Sequence, residues 1–291
     1  MSEIARRIIE EFTQADDIRD AGLTTPPDVE RLDGIVYGPD PLRQVMDLYK
    51  PRGAQGPLPV IVSFHGGGWV YGDKERYQFY CMDLARRGFG VLNFTYRLAP
   101  MFKFPAPLED CNLVMAWLAA DGRDHGLDPE NVFAVGDSAG ANGLGLYACI
   151  LTNPAFAARF PFTPPAGLKL RAIALNCGVY KVDPDPKGGG LMSVYMPEGG
   201  TAAECESASP MNHVTEDFPP TFLMTAPQDF LKAAAAPMAA LLAEKNVEHV
   251  LRFYSDEGRT LAHVFHLNIR TADAKRCNDE ECAFFRAHLR A

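Results

Sequence analysis

Long apolar runs are missing from this chain: no stretch approaches the roughly 20 residues that cross a bilayer, so no membrane span is expected. Basic charge is also scarce. Twenty-eight Lys and Arg stand against 37 Asp and Glu, a formal net charge of -9, which leaves no clustered cations to displace counterions from a phosphate backbone. No nucleic-acid partner is expected. Cys81, Cys111, Cys149, Cys177, Cys205, Cys277 and Cys282 are an odd number at irregular spacings with no Cys-x-x-Cys pair, the pattern of neither a disulfide framework nor a zinc ribbon. Each is expected to be a small buried hydrophobe in a reducing, cytoplasmic setting. The first twelve residues carry charge throughout and lack the apolar core of a signal peptide, and no internal repeat or heptad is evident.

What the chain has is apolar material in the right arrangement. Of its 291 residues 47% are hydrophobic and 22% charged, enough to bury a large core in one domain spanning 1–291. Leu32–Tyr37 and Val45–Tyr49, separated by Gly38-Pro39-Asp40-Pro41, read as an antiparallel pair at a sheet edge. Pro59–Phe64 is a continuous apolar run of the kind buried on both faces. Strand and helix then alternate: a helix from about Lys74 to Arg87, a strand over Gly90–Tyr96, a helix from Pro107 to Ala120, a strand over Val132–Val135, and a small-residue helix from Ala139 to Leu151. Arg171–Leu175, Thr221–Thr225 and His249–Tyr254 continue the strands, with helices over Leu231–Ala243 and Ala272–Leu289. That alternation predicts an α/β fold with a mostly parallel, twisted sheet and helices on both faces. Two segments fall outside it. Residues 1–30 read as an amphipathic helix plus a Thr24-Thr25-Pro26-Pro27 linker, and residues 181–219 as an aperiodic insertion rich in Pro, Gly and Ser; both are expected to form a small cap.

Two short motifs carry chemistry. Gly136-Asp137-Ser138-Ala139-Gly140 follows an apolar strand and opens a helix, the Gly-x-Ser-x-Gly elbow that presents a serine hydroxyl on a strained turn. Phe64-His65-Gly66-Gly67-Gly68-Trp69 follows another strand, and its side-chain-free N–H groups can point at a developing oxyanion. In a chain with 25 glycines the elbow alone is weak; with the upstream glycines, an acid and a histidine in order, it predicts acyl transfer. A serine needs a base and the base an orienting acid, in the chain order serine, acid, histidine. His65 and His125 precede Ser138, His213 precedes the candidate acid, His249 opens a strand and His288 ends a helix, which leaves His263 and His266. Asp229 stands where Thr221–Thr225 leaves the sheet; Asp217, Asp256 and Glu257 are less well placed.

With these residues quoted, the chain resembles the hormone-sensitive-lipase-like branch of the α/β-hydrolases. His65-Gly66-Gly67-Gly68-Trp69, Tyr96-Arg97-Leu98-Ala99-Pro100 with Phe104-Pro105-Ala106-Pro107, the Ser138 elbow and His263-Val264-Phe265 carry the likeness in the family's order. The resemblance implies the α/β-hydrolase fold, with Ser138 as nucleophile, Asp229 as acid, His263 rather than His266 as base, and the N–H groups of Gly67, Gly68 and Ala139 as the oxyanion hole. It also implies a carboxylesterase acting on a small-molecule ester without metal or organic cofactor, with self-association left open. Met101, Ala226-Pro227-Gln228 and Val264 depart from the family pattern without removing a catalytic group; with Met101 loop contacts do not transfer, and because the cap varies within the family neither does acyl or alcohol specificity. An amide or formamide hydrolase, a sugar-ester deacetylase or feruloyl esterase, and a non-catalytic binding protein of the same fold are the rival readings.

Ordinary roles are expected for the remaining conspicuous residues. His65 reads as a brace for the glycine loop rather than a proton carrier, Trp69 as core, and Arg97 with Asp110 as a buried bracing pair. Gly188-Gly189-Gly190, following no strand and opening no helix, reads as a flexible loop, and Asp183 with Asp185 as a solvated turn with too few ligands for calcium.

Overall fold

The structure is a computed structural model that describes residues 2–185, 189–255 and 260–290. Eight strands form one sheet: β1 (Val29–Val36), β2 (Val45–Pro51), β3 (Leu58–Phe64), β4 (Gly90–Phe94), β5 (Leu127–Asp137), β6 (Leu170–Asn176), β7 (Thr221–Thr225) and β8 (His249–Phe253). They lie in the order β1-β2-β4-β3-β5-β6-β7-β8. β1 pairs antiparallel with β2 and β2 with β4, and every later pairing is parallel. The expected antiparallel edge and parallel body are both present.

The period of two along β3 divides the core. Val60, Val62 and Phe64 face one cluster with residues of α3 (Ala106–Asp121), α4 (Ala139–Thr152) and α8 (Ala235–Glu244), while Ile61 faces another with α2 (Lys74–Ala85) and α9 (Ala272–Ala287). Side-chain caps set several helix starts: Asp73 accepts the Arg76 N–H ahead of α2, and Thr271 accepts the Ala274 N–H ahead of α9. A third apolar cluster lies apart from both faces. In it Ala5 of α1 (Glu3–Asp20) joins Met192, Val194 and Tyr195 of α6 (Leu191–Tyr195), Cys205 of α7 (Ala202–Ser207), Trp69 and Ala139.

Several expectations need correction. The 181–219 insertion is not structureless: it holds α6, α7 and a 3₁₀ turn at Pro210–Asn212. Thr201 and Glu204 form a reciprocal capping box that starts α7, a local signal strong enough to build a helix in a Pro- and Gly-rich stretch. Gly190 does precede a helix, as the N-cap residue of α6, while Gly188 lies outside the described residues, as do Asp256 and Glu257. β1 starts at Val29, so the sheet takes the last residues assigned to the N-terminal segment. β5 starts at Leu127, hidden by Pro129 and Asn131 but paired with Leu58 and Pro59 across a register shift. A short α5 (Pro154–Ala157), capped by Asn153, was not foreseen. All seven cysteines are free and buried, as expected.

Candidate active site

Ser138 occupies the turn between β5 and α4 at φ 52° and ψ -116°, a conformation disfavoured for any residue with a side chain. Close approach explains the flanking glycines. A Cβ on Gly140 would lie 2.0 Å from the carbonyl oxygen of Phe64 on β3, and one on Gly136 would lie 2.6 Å from the carbonyl oxygen of Gly140. The Ser138 N–H donates to the Asn176 carbonyl at the end of β6 at 3.0 Å, which locks the turn to the neighbouring strand. Ala139 opens α4, so its N–H belongs to the first turn, whose donors have no acceptor within the helix.

Asp229 sits just past β7 and is buried. Its Oδ1 accepts from His263 Nδ1 at 2.7 Å and from the Leu231 N–H at 2.9 Å, and its Oδ2 accepts from the Thr225 hydroxyl at 2.7 Å. Burial works to raise this carboxyl, but the hydrogen bonds from His263, Thr225 and Leu231 outweigh it and hold it down at about 2. The loops bearing the two residues are joined: the Gln228 N–H donates to the Leu261 carbonyl at 3.0 Å, and Gln228 bridges to Ala262. Ser138, Gly66, Gly67, Asp137, His263 and Val264 line one cavity of about 270 Å³, which Phe12, Ala15, Asp16 and Arg19 of α1 also line. A larger groove of about 420 Å³, lined by Ala148, Leu151 and Pro219 among others, contains none of the candidate catalytic groups.

The other histidine left open by the sequence is differently placed. His266 is fully buried, lies edge-on to the Tyr80 ring at 5.2 Å, and has no hydrogen-bond partner for either ring nitrogen among the described residues. Burial pushes it down to about 3, so it stays neutral across the working range of most enzymes. His65 behaves as the expected brace: it is buried, stacks on Tyr96 with centroids 4.0 Å apart, and its Nδ1 lies 2.7 Å from the Gly66 carbonyl oxygen. Trp69 is buried and stacks on Tyr195 at 4.6 Å. Asp110 is buried and receives Arg97 Nε at 2.8 Å, the Arg97 N–H at 2.7 Å and Gln44 Nε2 at 2.6 Å, the bracing pair the sequence suggested.

Residues that sequence reasoning missed complete the surroundings. The Tyr77 hydroxyl donates to Asp137 Oδ2 and accepts the Gly66 N–H, both at 2.9 Å. Nothing in the helical period of α2 marks Tyr77 for this. The Phe230 ring lies 4.2 Å from that of His263, and its position directly after the acid was the available signal.

The family model described as alpha/beta hydrolase fold matches residues 61–267, the span from β3 to the loop beyond His263. The chain belongs to the α/β-hydrolase fold family. Within it, the matching family model and the similar esterases place the chain with the hormone-sensitive-lipase-like type. This α/β-hydrolase is 27% identical over 259 residues to carboxylesterase NlhH of Mycobacterium tuberculosis, covering 81% of this chain and 79% of that protein. It is 38% identical over 110 residues to versiconal hemiacetal acetate esterase of Dothistroma septosporum, 38% of this chain and 31% of that one. Among solved structures, the phosphonate-inhibited esterase B of Lactobacillus rhamnosis superposes with a TM-score of 0.88 at 25% identity, covering 98% of this chain and 94% of that one. A bacterial heroin esterase superposes at 0.76 with 22% identity, over 99% and 93% of the two chains, a likeness of fold.

Proposed function

We propose that this ester hydrolase is a serine carboxylesterase working through an acyl-enzyme. The supporting observation is the 2.7 Å hydrogen bond between His263 and buried Asp229, on joined loops, with His263 lining the same cavity as Ser138. His263 Nε2 takes the Ser138 proton as Oγ attacks the ester carbonyl, while Asp229 fixes the tautomer that leaves Nε2 free. The N–H groups of Gly67, Gly68 and Ala139 receive the oxyanion; Gly67 and Gly68 hold φ values of 111° and 61° that suit glycine and turn the loop over the elbow. His263 then delivers the proton to the leaving alcohol, and water repeats the sequence to release the acid.

A cavity of about 270 Å³ lies just below the range of roughly 300–1,000 Å³ for small-molecule sites, and favours short acyl chains. We assign the cap role to the segment ahead of β1 and to the insertion holding α6 and α7: Ala5 of the first and Met192, Tyr195 and Cys205 of the second share one apolar cluster with Trp69 and Ala139. A cytoplasmic setting is in keeping with seven free cysteines. No helix among the described residues is long and apolar enough to cross a membrane. The test is Ser138→Ala assayed on short-chain esters: kcat should fall on the order of a millionfold with the fold retained. A variant keeping a tenth of the activity overturns the assignment.

A further inference from the structure

Phe230 is 71% exposed. A lone exposed apolar side chain is ordinary, but this one is not merely at the surface. Its ring lies 4.2 Å from the His263 imidazole with 42° between the planes, and it lines the cavity that contains Ser138. Its backbone is held by the same turn that aims the acid: the Asp229 N–H donates to the Ala226 carbonyl at 3.1 Å, and the Leu231 N–H to Asp229 Oδ1 at 2.9 Å. The ring thus stands beside the base and is largely uncovered.

The chemistry says which part of a substrate comes to that face. In an acyl transfer the histidine proton goes to the oxygen of the departing alcohol, so the alcohol lies on the histidine's side of the serine while the carbonyl oxygen points to the glycine loop. A ring packed on His263 thus borders the alcohol. We infer that Phe230 is a specificity-determining residue for the alcohol half of the ester, favouring alcohols that carry a flat aromatic ring. This inference rests on the serine carboxylesterase reading. Offset or edge-on pairing of aromatic rings contributes about a two- to tenfold gain in affinity beyond the burial of area.

The experiment compares benzyl butyrate with cyclohexylmethyl butyrate, which share an acyl group and release primary alcohols of similar acidity that differ in flatness. Butyrate release is followed for the wild type, Phe230→Leu and Phe230→Ala. The wild type should prefer the benzyl ester by about two- to tenfold in kcat/KM, mainly through KM. Phe230→Ala should bring the ratio to near one, and Phe230→Leu, which keeps apolar bulk without a ring, should do nearly the same. A ratio unchanged in both variants, or a loss equal for the two esters and confined to kcat, overturns the inference and leaves the ring as a prop for His263. Failure of the wild type to hydrolyse either ester, with Ser138 unreactive, removes the carboxylesterase reading itself.

Discussion

Tyr77 and Asp137 share a hydrogen bond of 2.9 Å that ties the residue before the nucleophile to the glycine loop, because the same hydroxyl accepts the Gly66 N–H. Asp137 is buried, and this pushes its carboxyl up to about 6 against the lowering effect of Tyr77. The elbow and the oxyanion loop are thus registered through one phenol. Tyr77→Phe leaves a buried N–H and a buried carboxyl without this partner, at a cost of about 1–3 kcal/mol in stability. It should also lower kcat on a small ester more than it raises KM. Urea unfolding with steady-state kinetics checks both parts; a less stable variant with full kcat contradicts the positioning role.

The two histidines should separate cleanly. His263→Ala removes the base bonded to Asp229 and should reduce kcat on the order of 10⁴-fold or more. His266→Ala removes a buried ring that packs against Tyr80, so its main effect should be a lowered melting temperature, with the surviving folded enzyme still active. Kinetics and thermal unfolding of both variants decide it, and the reverse ranking in kcat contradicts the assignment.

Glu281 supplies a pH prediction. It is fully buried and accepts from Asn176 Nδ2 at 2.7 Å and from the Tyr80 hydroxyl at 3.3 Å, yet burial outweighs these bonds and raises it from 4.5 to about 7. The folded chain therefore binds this proton more tightly than the unfolded chain, and the stability tied to it is full below 4.5 and lost as pH rises through about 7. Asp137 acts in the same direction between 3.8 and about 6. His65 and His266, lowered by burial to about 4 and about 3, act in the opposite direction below 6.5. Glu281→Gln isolates the glutamate: relative to the wild type, its melting temperature should rise steadily from pH 5 to pH 8. Parallel pH profiles for the two proteins contradict the account.

α1 is bound to the domain at several points. The Tyr71 hydroxyl donates to Asp16 Oδ2 at 2.9 Å, the Phe12 and Tyr71 rings meet edge-on at 5.8 Å, and the Arg270 guanidinium donates to the carbonyls of Arg19 and Ala21. Deleting residues 1–24 should raise KM and alter the acyl-chain preference while leaving Ser138 reactive toward a small activated ester. Chain-length profiling of the folded deletion variant is the measurement, and an unchanged profile excludes α1 from the specificity wall.

The parts of this fold that were legible in the sequence are those where one local pattern had one outcome. β3 is apolar but for Ser63 because both of its faces are covered, and the elbow is spelled out because Gly136 and Gly140 have no room for a Cβ. Asp229 is placed by the end of β7, and chain order with strand and helix placement reduces seven histidines to two. Between His263 and His266 only the family resemblance chooses at the level of sequence; the residues alone leave both open, since burial of His266 depends on Tyr80 of α2 and Asn278 of α9, far away in sequence. The same holds for Tyr77, whose partners lie 11 and 60 residues away. α6 and α7 were hidden because composition dominated the reading of 181–219, although the Thr201–Glu204 spacing was there to be read.

The central claim is that Ser138 is the nucleophile activated by His263, and active-site labelling tests it most directly. The full-length protein is treated with a fluorophosphonate, and the adduct is located by intact mass and peptide mapping. One label per chain at Ser138, matching the loss of esterase activity and greatly slowed in His263→Ala, is the predicted result. Labelling at another residue, or complete loss of activity with Ser138 unmodified, would contradict it.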